Sequence, residues 1–341
     1  MMYVLILLLI ITFVLPLILK KVEENLEPFL FIIGLFACIT AGNINKELFL
    51  TIFQNKFMYI IVCSVLIGGF LFKALAEVIR ESLERILKYI PLKIFVFLVI
   101  VILGLLSSVI TAIIASLVLV EIISILPISR KNKIKVDIVA CFSIGLGAVL
   151  TPVGEPLSTV IVSKLHVDFW FLMREFGIYI IPGIILFGLI GTVFAVRDTA
   201  DLDLEENANK QETNKTIVLR AFKIFIFLIA LELLGAGFKP IIDTYVLALD
   251  NRCLYWVNIC SAVLDNATLA AAEISIKMSM LQIKAILMGL LISGGMMIPG
   301  NIPNIISAGK LDIKSREWIK LGVPLGFIVM IGYFIIIFLL R

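Results

Sequence analysis

Residues 94–128 carry a single charged side chain, Glu121. One helix over that run would be about 52 Å long at 1.5 Å per residue, far more than the roughly 30 Å hydrocarbon core of a bilayer. The run therefore predicts two helices with a tight turn between them, placed at Gly104 to Ser108. Similar runs recur along the chain: 61% of its 341 residues are hydrophobic and 16% are charged. Soluble domains average roughly 25% charged. A polytopic integral membrane protein is expected, with little chain left for a soluble catalytic domain. The net charge of +4 carries no nucleic-acid signal, because the basic residues sit between apolar runs and report topology instead.

Two later runs are interrupted. In the stretch Thr151-Pro152-Val153-Gly154-Glu155-Pro156-Leu157-Ser158-Thr159, two prolines and a glycine break an apolar segment, and a carboxylate sits inside the break. Non-helical backbone at membrane depth survives only inside protein or beside a water-filled cavity. A carboxylate there is costly without a partner or a task. The second break is Ser293-Gly294-Gly295-Met296-Met297-Ile298-Pro299-Gly300-Asn301-Ile302-Pro303-Asn304. Setting Pro152 on Pro299 places Gly154 on Asn301 and Pro156 on Pro303. Each break has an upstream partner segment, Ser107 to Thr111 and Ser261 to Asn266. The order partner, break, partner, break reads as an internal duplication.

The expected fold is an all-α polytopic membrane protein of two inverted repeats, with broken helices or re-entrant hairpins and about ten transmembrane elements. Residues 1–56 form N-terminal scaffold helices, including a retained helix at 3–19 stopped by Lys20-Lys21. Residues 57–196 form the first repeat, with a span at 57–72 and a charged surface helix at 73–93. An acidic soluble linker covers 197–216, and 217–341 form the second repeat, including a span at 253–274. Loop 129–135 holds Arg130, Lys131, Lys133 and Lys135, whereas its counterpart 275–284 holds only Lys277 and Lys284. That imbalance suits two repeats of opposite orientation, with 73–93 and 129–135 in the cytoplasm.

Glu155 and Asp265 are the candidate site acids. Thr151, Ser158 and Thr159 surround the first; Ser261, Asn266 and Thr268 surround the second. Hydroxyl, amide and carboxylate oxygens suit a hard monovalent cation, and buried carboxylates also carry protons. Asn301 and Asn304 stand in the second break, to supply amide oxygens or to satisfy the broken backbone. Thr111 and Glu121 lie along the first partner helix, while Glu273 is expected at the membrane surface. Pro152, Gly154, Pro156, Pro299, Gly300 and Pro303 are the structural breakers. No cofactor is expected. The five cysteines, none in a CxxC pair, read as small buried side chains, and the single His166 reads as interfacial.

At these residues the chain resembles a known group. Ser261-Ala262-Val263-Leu264-Asp265-Asn266-Ala267-Thr268 is similar to the aspartate-asparagine segment of NhaD-type sodium/proton antiporters. Gly147 to Glu155 is similar to their Thr-Pro-hydrophobic-Gly-acid segment. That group belongs to the ion transporter superfamily, with the arsenite, citrate and dicarboxylate carriers, and the whole chain resembles a prokaryotic set described as predicted cation transporters. Glu155 stands where the antiporters usually have Asp, and Thr268 where they commonly have Pro. The resemblance implies two inverted repeats meeting at mid-membrane, a homodimer in the lipid bilayer of a prokaryotic cytoplasmic membrane, and no nucleic-acid partner. It implies a secondary transporter, with sodium held at Asp265 and Glu155 in exchange for protons.

Three function classes compete. A cation/proton antiporter is favoured by the two acids and by the lack of basic residues in the motifs. A sodium- or proton-coupled carrier of a small carboxylate or oxyanion would use helix N-termini and the amides of Asn301 and Asn304. A membrane enzyme would need a nucleophile or metal constellation, which the sequence does not display, so a non-enzyme is expected.

Overall fold

A computed structural model describes residues 1–19, 21–22, 25–196, 213–241, 244–245, 249–264, 266–274 and 276–340. Among them the regular elements are all helical. The N-terminal helices are α1 (Met2–Ile18), α2 (Leu26–Ala41), α3 (Lys46–Gln54) and α4 (Lys56–Tyr89). Then come α5 (Leu92–Ile110), α6 (Ala112–Ile125), α7 (Arg130–Ala148), α8 (Pro156–Leu165) and α9 (Phe171–Phe194). The remaining helices are α10 (Asn214–Ile241), α11 (Asn251–Val257), α12 (Asn266–Glu273), α13 (Met280–Gly294), α14 (Ile302–Leu311) and α15 (Ser315–Phe338). Short 3₁₀ turns cover Asn258–Ala262 and Ile298–Gly300.

Two helices form the centre. Every residue from Val136 to Leu150 on α7, and from Ala285 to Asn301 on and after α13, is buried. A helix buried all round needs neighbours on every side. α5 and α9 pack on α7, and α11, its 3₁₀ continuation and α15 pack on α13. The outer helices turn apolar side chains outward: Val109 on α5, Ile178 and Val193 on α9, and Ile328 on α15 are each more than 60% exposed. Exposed apolar faces around a core holding buried acids and amides suit a lipid surrounding. Among the described residues, three helices are long and apolar enough to cross a membrane, or four if the bent pair Lys46–Gln54 and Met58–Leu71 is one span. These lengths are consistent with membrane association.

Several sequence expectations shift. The turn in the 94–128 run lies at Thr111, not at Gly104 to Ser108. α5 continues to Ile110, and Thr111 takes φ 76° and ψ 149°. Gly104 instead lets α5 touch α7, where a Cβ on Gly147 would strike the Gly104 carbonyl. The 57–72 span and the 73–93 surface helix are one helix, α4. The span expected at 253–274 is split: α11 gives way to the 3₁₀ turn, and a separate helix, α12, starts at Asn266. Of the linker 197–216, residues 197–212 lie outside the described residues, and Asn214 already begins α10.

Contacts in the first half recur in the second. Ser107 Oγ donates to the Ile144 carbonyl at 3.0 Å, and Ser261 Oγ donates to the Leu290 carbonyl at 3.3 Å. Each half also lends a helix to the other: α6 packs on α14, and α12 packs on α8.

Candidate functional site

The first break runs from the end of α7 to the start of α8. Thr151 Oγ1 donates to the Ser108 carbonyl at 2.5 Å, and Ala112 N donates to the Gly154 carbonyl at 2.8 Å. Both bonds tie the break to the α5–α6 turn, so Thr111, a non-glycine residue at positive φ, is held beside it. Strained positions of this kind persist where surrounding structure fixes them. Thr159 Oγ1 donates to the Pro152 carbonyl at 2.6 Å, and Ser158 Oγ to the Glu155 carbonyl at 2.7 Å. The hydroxyl protons of Thr151, Ser158 and Thr159 thus satisfy broken backbone, while each hydroxyl oxygen retains acceptor capacity. Pro156 opens α8 at its first position, where no amide donor is needed. Glu155 is the buried N-cap residue, with extended backbone and no capping bond from its side chain.

The second break repeats this plan one residue away from the proline match. Gly154 N bonds the Thr151 carbonyl and Gly300 N the Met297 carbonyl, both at 3.3 Å. A Cβ on Gly154 would strike the Ala148 carbonyl, and one on Gly300 would meet the Gly294 carbonyl. Each break then enters a helix of 10 residues through an extended N-cap and leaves it through a left-handed residue, His166 at φ 51° or Asp312 at φ 50°. Gly154 therefore matches Gly300, Glu155 matches Asn301, and Ser158 matches Asn304. Pro156 is the first residue of its helix and Pro303 the second, which is why proline spacing misplaced the register.

Asn304 is structural through its nitrogen: Nδ2 donates to the Gly294 and Met297 carbonyls at 2.9 and 2.8 Å. Its Oδ1 has no hydrogen-bond partner among the described residues, and neither does Oδ1 or Nδ2 of Asn301. Asn301 is 3% exposed and its side chain lies against Gly145 of α7, so the second break reaches the helix that leads into the first. Gly295 lies against the Phe142 ring of the same helix.

Asp265 lies outside the described residues, as does the Thr268 side chain. Their neighbours are buried: Leu264, and Asn266, whose Nδ2 has no partner among the described residues. Glu121 lies away from the breaks and pairs with Lys310 of α14 at 3.0 Å. Lys164 of α8 makes the reciprocal reach, donating to the Ile274 carbonyl just past α12 at 3.4 Å.

Two polar groups, Asp137 and Asn258, escaped the sequence reading, and a third, Glu273, was misplaced. Asp137 of α7 is fully buried and accepts from Ser307 Oγ of α14 at 3.0 Å. Asn258 Nδ2 donates to Glu273 Oε2 at 3.0 Å, so Glu273, expected at the membrane surface, is a buried partner. Asp137 is an acid in an apolar run, a signal the sequence does contain, but the adjacent basic loop masked it. The cysteines divide, with Cys38 and Cys141 buried and Cys63 and Cys253 exposed. His166 is exposed, as an interfacial residue would be. A cavity of about 220 Å³, lined by Glu27, Lys223, Asp312 and Lys314 among others, reaches the second break at Ile298. Among the described residues there is no cluster of His, Cys, Asp and Glu that could hold a metal ion.

The family model described as protein of unknown function (DUF1646) matches residues 2–340, and the chain belongs to that family. No curated protein matches the chain.

Proposed function

We propose that this protein is a secondary active transporter that exchanges sodium, or a similar monovalent cation, for protons across a membrane. The observation that carries the reading is Asn301. Its side-chain amide is buried at a helix N-terminus with both polar atoms unpartnered among the described residues, in a break matched residue for residue by the one holding Glu155. An unbonded buried amide costs about 1–3 kcal/mol. Such a cost is retained where a transported species comes and goes. Glu155 with Asp265 would supply the exchangeable charge; Asn301, Asn304, Asn266, Thr151 and Thr268 would supply neutral oxygens.

The inverted-repeat arrangement is part of this proposal. It is supported by which ends meet. Arg130, at the start of α7, pairs with Glu317 of α15 at 2.5 Å and donates to the Asp312 carbonyl at the end of α14. Lys284, near the start of α13, pairs with Glu175 near the start of α9 at 3.6 Å. Each central helix thus begins beside the place where the other half's broken unit finishes, as two oppositely directed units would. About ten elements reach membrane depth in this arrangement, some as broken or re-entrant pieces. The basic Arg130 end is cytoplasmic by the loop-charge rule.

A second reading has its own observation. The amide nitrogen of Asn301 is a donor beside the positive end of α14, which suits a small carboxylate or oxyanion with sodium as coupling ion. Purified protein in liposomes separates the two. Proton flux driven by an imposed sodium, lithium or potassium gradient, and lost in E155Q and D265N, supports exchange. Sodium-driven anion uptake without proton counterflow supports the second reading, and neither activity refutes both.

A further inference from the structure

The pair Asn258 and Glu273 lies outside both breaks, with Asn258 touching the start of the second. Asn258 begins the 3₁₀ turn before Asp265, and Glu273 ends the helix after it. Their bond therefore ties the start of the 3₁₀ turn to the far end of α12. The Asn258 main chain is held from behind: Ser293 Oγ donates to its backbone carbonyl at 2.7 Å, and a Cβ on Gly289 would lie 3.1 Å from the Asn258 Cβ. Asn258 is 0% exposed and Glu273 1%.

One bond joins two planar groups, and each group keeps one oxygen without a partner. Glu273 Oε1 and Asn258 Oδ1 are both buried and unbonded among the described residues. Two acceptors side by side repel. A carboxylic acid, unlike a carboxylate, carries a donor of its own. One proton on Oε1 gives Asn258 Oδ1 its missing donor and completes a cyclic acid–amide pair, satisfying both oxygens at once. A metal cation would want more oxygens than these two.

We propose that Glu273 and Asn258 form a proton-binding site, and that the bound proton latches the 3₁₀ turn to the end of α12. The step is transfer of a proton from hydronium to the Glu273 carboxylate, giving the acid and water; its reversal removes one of the two bonds joining Glu273 to Asn258. The charged neighbours have partners of their own. Lys164 of α8 is engaged with the Ile274 carbonyl, and Cys260 on the same 3₁₀ turn is a thiol. α13 presents Gly289 and Ser293, and Glu232 of α10 accepts from Asn55 at 2.5 Å. The coupling part of this proposal rests on the exchange function above; the proton site itself does not.

The test is infrared spectroscopy of the full chain in lipid, comparing wild type with E273Q and with N258L. Glutamine repeats both bonds of the acid form, so E273Q keeps its fold. The expected wild-type minus E273Q difference is one carboxylic-acid carbonyl band that shifts in heavy water and moves again in N258L. Should N258L not fold, the first difference still decides: carboxylate stretches in place of the acid band overturn the site. In liposomes, E273Q is expected to lose proton movement driven by a sodium gradient. Wild-type proton coupling in E273Q overturns the latch. An acid band in a wild type that exchanges nothing refutes the transport reading and supports the proton site.

Discussion

Asn301→Leu separates a bond-making amide from one kept for a passing ion. Leucine has similar size and no polar atoms. In wild type, Oδ1 and Nδ2 of Asn301 are buried without partners among the described residues. An amide left so costs about 1–3 kcal/mol relative to its hydration in the unfolded chain. Replacing them by methyl groups of the same reach removes that cost, and the pocket against Gly145 stays filled. N301L is therefore expected to be more stable than wild type by about 1–3 kcal/mol in sodium-free buffer, and inactive. Sodium reverses the comparison. A ligand at one hundred times its Kd stabilises the wild type by about 2.7 kcal/mol, and N301L, lacking a ligand oxygen, gains less. The assay is thermal unfolding in detergent across a sodium titration with choline as the control ion, beside flux in liposomes. N301L melting below wild type in the absence of sodium refutes the reasoning, because the amide would then be holding structural bonds.

Three further outcomes are expected. Gly300→Ala puts a methyl group 2.5 Å from two backbone carbonyls, Gly294 and Ser261, which cannot rotate aside. A loss of about 1–3 kcal/mol follows, read as a lower melting point, and unchanged stability would show that the break is soft. Glu121→Gln breaks the pair with Lys310, whose side chains are 15% and 14% exposed. Its cost is about 1–3 kcal/mol, below the 3–5 of a fully buried pair, and adding Lys310→Met should cost little more; additive losses would deny the coupling. At the opposite end the Arg174 hydrogen bond holds the Asp168 carboxyl below the usual range. That stabilisation is present above the ordinary Asp pKa and lost as pH falls through the lowered one. The pair is solvent-exposed, so Asp168→Asn should leave the melting point at neutral pH nearly unchanged, and a large drop would show a hidden partner.

Proline and glycine made the two breaks legible, because in apolar sequence nothing else announces a change of backbone. Their positions did not give the register, since a proline is equally at home at the first or second position of a helix. Breaks without proline or glycine stayed hidden. The segment from Cys253 to Glu273 contains neither, yet its first helix gives way to a 3₁₀ turn and a separate helix starts at Asn266. Thr111 likewise turns the chain without a glycine, while the nearby Gly104 serves helix contact instead. Asp137 and Asn258 went unassigned, and Glu273 was put at the membrane surface, for a different reason. Their meaning lies in partners, and the partner of Asp137, Ser307, is 170 positions away. No local pattern encodes such a pairing.

The exchange of helices between halves bears on how the chain is made. The first half leaves the ribosome with α6 lacking the surface of α14, and α8 lacking that of α12. Neither half can finish its own interior, so the nascent first half must wait with polar groups such as Asp137 still lacking Ser307. During that wait it is open to proteolysis and to pairing with the wrong molecule. Completion is a late event, in which two fragments lock together instead of one folding upon the other. Two polypeptides cut within 197–212 should then rebuild the folded protein when made together, and each made alone should be degraded, as pulse-chase labelling would reveal.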